Sequence, residues 1–180
     1  MVFEEKTVSS EHIFRGRIID VKLDKVLMPN GELADREIVG HPGGVGIVAI
    51  TDDNKIIMVK QYRKPLEKAI CEIPAGKLDP NEEVEFCGKR ELLEETGATA
   101  EKFEYLGFMY PSPGFTDEVT HIYLATGLSF GNANPDDDEF LDIEFFDMET
   151  VKEMIMNNEI NDGKTIMGFF KAVERLKGGK

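Results

Sequence analysis

The chain has 180 residues, 41% of them apolar and 31% charged, enough for one packed domain or for a domain with a small appendage. Its 35 acidic residues outnumber 21 basic ones for a formal net charge of −14. That balance excludes nucleic-acid phosphate as an expected partner, because no Lys/Arg surplus exists to displace its counterions. No apolar run reaches bilayer-spanning length, so no membrane partner is expected. The first residues lack a basic stretch followed by an apolar one, so no signal peptide is expected and the expected compartment is cytoplasmic. Cys71 and Cys87 sit inside apolar runs and are expected as buried free thiols, a disulfide being the lesser reading. A small anionic substrate stays open, since bound metal ions can invert the local field.

Residues 12–28 alternate between apolar and polar for much of their length, which predicts strands with one covered face. Pro29-Asn30-Gly31 is a turn signal, and 34–40 reads as the returning strand. Two apolar, β-branched runs, 45–50 and 56–62, flank Asp52-Asp53-Asn54 and predict a hairpin in a central sheet. Residues 82–96 form an acidic helix, 103–109 and 119–126 are further strands, and helices follow at 149–157 and 165–176. In the last of these Met167, Phe170, Val173 and Leu176 lie along one stripe. The order predicts an α+β fold, a mixed sheet flanked by helices, rather than a repeated βαβ chain.

The acidic helix carries the chemistry. Glu91, Glu94 and Glu95 stand at i, i+3 and i+4 and so project to one side of it. Like charges at that spacing repel by about a few tenths of a kcal/mol per pair. A hard cation such as Mg2+ would turn the repulsion into coordination. Gly88 is out of place in a helix interior by about 1 kcal/mol relative to Ala. It is explained by close packing of helix on sheet, opposite the carboxylate face. The wider pattern runs Gly76, five residues, Glu82, seven residues, Arg90-Glu91, two residues, Glu94-Glu95, one residue, Gly97 and an apolar residue. Seven fixed identities at average usage match by chance on the order of once in a hundred million start positions.

This segment, residues 76–98, resembles the signature of the Nudix hydrolases, with Ala98 smaller than the branched residue usual there. The resemblance implies an α/β/α sandwich with a mixed central sheet over residues 41–180. It also implies a small N-terminal β-sheet over residues 1–40 that takes part in forming a homodimer, as in the ADP-ribose branch. It implies that Glu91, Glu94, Glu95 and the backbone carbonyl of Ala75 ligate Mg2+, with Mn2+ as the alternative ion. Glu82 would be an auxiliary ligand or a support, and Arg90 would orient the ligating carboxylates, a task that suits a planar guanidinium. In that branch the catalytic base comes from a loop outside the motif. Glu139, in an acidic run ending Asp-Glu-Phe, is the first candidate here and Glu118 the second.

Features outside the motif resemble the ADP-ribose pyrophosphatase branch more narrowly. Arg63, thirteen residues before Gly76, is placed like an arginine that contacts a diphosphate. Glu72, opening Glu72-Ile73-Pro74-Ala75-Gly76, would contact the terminal ribose or a metal. Pro113, sixteen residues after Gly97, and Gly114 match a feature that marks the branch, and Arg36 is a further candidate substrate contact across a dimer. Phe14, Phe115 or a tyrosine would have to stack on the base, the chain having no Trp. The expected activity is Mg2+-dependent hydrolysis of ADP-ribose, or of a close nucleoside diphosphate sugar, to AMP and ribose 5-phosphate. The alternative enzyme reading is another sugar nucleotide such as GDP-mannose, or a dinucleotide. A non-catalytic ADP-ribose sensor is disfavoured, because such modules usually lose motif carboxylates and this chain retains every one.

Overall fold

Valine and isoleucine dominate the strand β4, Gly44–Ala49, and every residue of it is buried. Alternate side chains of a strand leave by opposite faces, and both faces of β4 are covered. Val45, Ile47 and Ala49 pack with Cys87 and Leu92 of helix α1, Val84–Thr96. Val48 joins Val151 and Ile155 of α2, Met148–Met156, and Phe169 and Ala172 of α3, Gly163–Lys177. The result is a helix layer on each side of a sheet layer, within an α+β fold. The computed structural model describes residues 3–133 and 140–178.

The chain divides into two units, residues 1–43 with 110–119, and residues 44–109 with 120–180. In the first unit, β1 (Lys6–Arg15), β2 (Asp20–Leu27) and β3 (Leu33–Gly40) form an antiparallel meander in that order. The segment 110–119 joins it at Val39, whose N–H donates to the carbonyl of Phe115 at 2.7 Å and whose carbonyl accepts from Asp117 N–H at 3.2 Å. In the second unit, β4 lies between β7 (Ala75–Lys77) and β9 (Thr120–Phe130), antiparallel to the first and parallel to the second, and β8 (Ala98–Met109) closes the sheet beyond β9. A three-stranded antiparallel sheet places β5 (Lys55–Arg63) between β10 (Leu141–Asp147) and β6 (Lys68–Glu72).

The hairpin expected from 45–50 and 56–62 does not form a ladder. A single bridge joins Ile50 and Ile56, and β5 then leaves for the other sheet. One edge of β4 is paired with β9 along its whole length, and the other is taken by β7 over Gly44–Gly46 and by the Pro74 carbonyl at Ile47 N–H, which leaves little edge for β5. The helices fall where expected to within a few residues, but the expected stripe of α3 packs only in part, Met167 and Val173 lying half-buried against the core. Thr165, Gly168, Phe169 and Ala172 are buried, whereas Phe170 and Leu176 are exposed. A Cβ on Gly168 would lie 2.9 Å from Val48 Cγ2, so the small residues let the helix backbone settle on β4.

Gly88 does mark close packing, since a Cβ there would lie 2.9 Å from Phe103 Cζ and 3.0 Å from Val45 Cγ1. Its expected position opposite the carboxylates is wrong, however. Gly88, Glu91, Leu92 and Glu95 all fall on the buried stripe of α1, while Glu94 stands beside it, half-buried. Gly97 ends the helix with φ +68° and donates its N–H to the Leu93 carbonyl at 2.8 Å. A Cβ at Gly97 would also meet Gly131 O at 2.7 Å and Ala133 N at 2.8 Å. Gly97→Ala is therefore expected to lower the unfolding free energy by about 2 kcal/mol or more, from left-handed strain plus a clash with backbone. Urea denaturation monitored by circular dichroism measures it.

Candidate active site

Arg90 gathers the motif carboxylates around one guanidinium. Its Nε donates to Glu82 Oε1 at 2.8 Å and its Nη2 to Glu82 Oε2 at 3.0 Å, a two-point fork. Nη1 donates to Glu91 Oε1 at 2.9 Å and to Glu94 Oε2 at 2.8 Å. Nη2 also reaches the Lys77 carbonyl at 3.3 Å. Glu82 closes its own turn as well, Oε2 accepting from Asp79 N–H at 3.0 Å. The hydrogen bonds from Arg90, first among the causes, bring the Glu82 carboxyl down from its ordinary 4.5 to about 2. Hydrogen bonding to Glu82 likewise raises the pKa of Arg90. Beneath this cluster Cys87 Sγ donates to the Lys77 carbonyl at 3.3 Å, and burial pushes its thiol up to about 12. Cys71 and Cys87 are both free, Cys87 buried and Cys71 half-buried.

Glu95 is 1% exposed and Glu91 7%. Glu95 Oε2 accepts the backbone N–H of Ala75 at 3.0 Å, which ties the helix to β7. Gly76, the next residue, must lack a side chain: a Cβ would stand 1.8 Å from the Glu91 carboxyl carbon. The missing Cβ is thus a cradle filled by a carboxylate. Among the described residues no three His, Cys, Asp or Glu side chains converge as a ready metal cage. Glu91 and Glu94 point instead at the shared Nη1 of Arg90. The donor set remains all oxygen, carboxylates of Glu91, Glu94 and Glu95 beside the Ala75 backbone, and it fits a hard divalent cation.

The other candidates are distributed as follows. Arg63 Nε donates to Glu72 Oε1 at 2.7 Å. Glu72 has no exposed surface, and its second oxygen accepts from Lys164 Nζ. Both oxygens that were expected to meet ribose or metal are therefore already engaged. Arg36, in the first unit, forks onto Glu5 at 2.9 Å and 2.5 Å. Glu118 is in the same unit, its Oε1 3.8 Å from His41 Nδ1. That nitrogen accepts the Gly43 N–H at 3.1 Å. Pro113 and Gly114 are exposed there, as are Phe14 and Phe115. Glu139 lies outside the described residues. Lys164 and Asp162 are participants that the motif search missed. The available signal was a lysine in the first turn of a helix, where the dipole disfavours a cation and a partner is wanted.

The chain is similar to known proteins over most of its length. The family model described as "NUDIX domain" matches residues 40–167, and that described as "Nucleoside diphosphate sugar hydrolase N-terminal domain" matches residues 5–39. A "Methanol dehydrogenase activator" of Bacillus methanolicus is 47% identical over 180 residues, covering 98% of this chain and 97% of that one. An "ADP-ribose pyrophosphatase" of Bacillus subtilis (strain 168) is 48% identical over 164 residues, 90% of this chain and 89% of that one. A solved structure described as an ADP compounds hydrolase shares the fold, with a TM-score of 0.89 at 23% identity over 99% of this chain and 97% of that one.

The Glu82–Arg90 pair has a pH signature. With its folded pKa below the ordinary value, Glu82 binds fewer protons folded than unfolded. Its contribution is thus complete above about pH 4.5 and lost as pH falls towards about 2. In EDTA, unfolding midpoints measured from pH 6 to pH 2 are expected to fall less steeply below pH 4.5 for Glu82→Gln than for the parent.

Proposed function

The chain belongs to the NUDIX domain family of hydrolases, and from that premise we propose that it cleaves the diphosphate of ADP-ribose, or of a close nucleoside diphosphate sugar, to AMP and ribose 5-phosphate. The observation that carries the reading is the guanidinium of Arg90 drawing Glu82, Glu91 and Glu94 together beside a Glu95 tied to Ala75. The 48% identity to an ADP-ribose pyrophosphatase, over most of both chains, supports the substrate.

When bound, a divalent ion, Mg2+ or alternatively Mn2+, held by Glu91, Glu94, Glu95 and the Ala75 carbonyl, would offset the diphosphate charge and polarise its bridge. The chain's own groups prepare for it. Arg90 orients Glu91 and Glu94, and the Ala75 N–H fixes one oxygen of Glu95. Arg63 offers its Nη donors to the diphosphate, a planar fork matching two phosphate oxygens. Glu139 is proposed as the base that takes a proton from the attacking water, with Glu118 as the second candidate. Arg36, Glu72, Pro113 and Gly114 complete the proposed substrate set, Glu72 by supporting Arg63. The enzyme is proposed to be cytoplasmic and a homodimer through its N-terminal sheet, where β1 leaves Val8, Ile13 and Phe14 exposed. No described helix is long and apolar enough to cross a membrane.

A second reading rests on the Bacillus methanolicus relative, whose name describes activation of a dehydrogenase. Faster turnover of a methanol dehydrogenase on adding this protein, and no release of AMP from ADP-ribose, would favour it.

Release of AMP from ADP-ribose with Mg2+, abolished by EDTA, is the expected result of a product assay against a panel of nucleoside diphosphates; GMP from GDP-mannose without AMP would move the substrate. Glu95→Gln is expected to reduce turnover by about 100-fold or more, and parent-like turnover would remove Glu95 from the ligand set. Glu139→Gln is expected to lower kcat while leaving Mg2+ affinity, measured by calorimetry, near the parent value.

A further inference from the structure

Glu72 is a carboxylate with no exposed surface, and burying such a group is costly unless it is paired and hydrogen-bonded. Two cations meet it from different elements. Arg63, the last residue of β5, donates Nε to Oε1 at 2.7 Å. Lys164, 92 residues away in the first turn of α3, donates Nζ to Oε2. A first turn is a poor place for a cation, because the helix dipole puts positive potential there. The turn is nevertheless built to deliver this one. Asp162 Oδ2 caps it, accepting from Thr165 N at 3.0 Å and Thr165 Oγ1 at 2.6 Å, and lies 3.1 Å from Lys164 Nζ. Thr165 Oγ1 accepts the N–H of Ile73 at 2.9 Å, so the residue after Glu72 is pinned to the same turn.

The two cations are used differently. The Lys164 side chain is 16% exposed and stands between two carboxylates, Glu72 and Asp162. The Arg63 side chain is 38% exposed and, among the described residues, hydrogen-bonds through Nε alone. Its two Nη groups have no hydrogen-bond acceptor among the described residues. Arg63 also lies within the field of Glu95, whose Oε2 holds the Ala75 N–H three residues after Glu72. The buried anchor and the carboxylates of α1 are thus joined by one short stretch of chain, 72–75.

We propose that Lys164 is a positioning residue of the substrate site. By holding Oε2 of Glu72 it turns Glu72 into a fixed anchor for Arg63 Nε, and so keeps the Nη edge of Arg63 in the orientation that takes two oxygens of a nucleoside diphosphate. Glu72 then supports a substrate contact and is not one itself. This deepens the reading of Arg63 as a diphosphate contact and rests on it.

Steady-state kinetics on ADP-ribose with saturating Mg2+ test the proposal. Lys164→Met is expected to raise KM by about tenfold, the loss of one charged hydrogen bond, with kcat changed by less than about threefold. Lys164→Arg, which restores the charge, is expected to return KM most of the way. Lys164→Met added to Arg63→Met is expected to raise KM no further than Arg63→Met alone, because both act through the same guanidinium. A merely structural lysine would add its effect to that of Arg63→Met. Where Lys164→Met does not fold, the uncharged pair Glu72→Gln/Lys164→Met decides, with the same rise in KM expected. A parent-like KM in the folded variant, or additive effects with Arg63→Met, overturns the proposal. A parent protein that does not turn over ADP-ribose refutes the substrate reading instead.

Discussion

Three carboxylates of α1 and the turn before it share one guanidinium, and the architecture of the site depends on that sharing. Glu82 takes two donors of Arg90, and Glu91 and Glu94 divide a third. Without it, Glu91 at 7% exposure would face Glu94 and Glu95 across a helical turn with little water to screen them. With it, Glu82, Glu91 and Glu94 are drawn towards one guanidinium. The interaction also explains the length of the motif: seven residues between Glu82 and Arg90 let the chain make the turn at 79–82, enter the helix and return the guanidinium beside the starting carboxylate.

The site is held against the sheet by contacts that tolerate almost no substitution. Gly76 leaves room for the carboxylate of Glu91, Gly88 lets α1 sit on Val45 and Phe103, and the Ala75 N–H binds Glu95. All three place α1 against the sheet, so Glu91 and Glu95 line the seam between helix and sheet while Glu94 stays half-buried at its edge. A rigid support of this kind suits chemistry that depends on positioning and electrostatics rather than on covalent intermediates.

The motif was legible because its geometry is local. Residues 82–96 set one another's positions through a turn and a helix, and i, i+3 and i+4 spacing needs no tertiary information. Gly97 as terminator and Gly88 as a point of close approach could likewise be read from single residues out of place. The face of Gly88 could not, because the amphipathicity of α1 is hidden: its inward stripe includes Glu91 and Glu95, which a hydrophobic pattern assigns to the surface. The stripe of α3 was legible only in part: Met167 and Val173 pack on the core, but Thr165 and two small residues, Gly168 and Ala172, turn inward while Phe170 stays out.

From the amino-acid order alone came the class of fold, the acidic helix with its terminating glycine, and the identity of the family, since each rests on patterns a few residues long. Strand partners could not come from it, because β9 takes one edge of β4 and β7 part of the other, and which strand wins an edge is decided by packing across the whole unit. Nor could the pairing of Glu72 with Lys164, residues 92 apart, whose meeting is set by where α3 docks on the sheet. Charge spacing along a chain determines what a helix can hold; only the docking of one element on another decides which buried charge finds which partner.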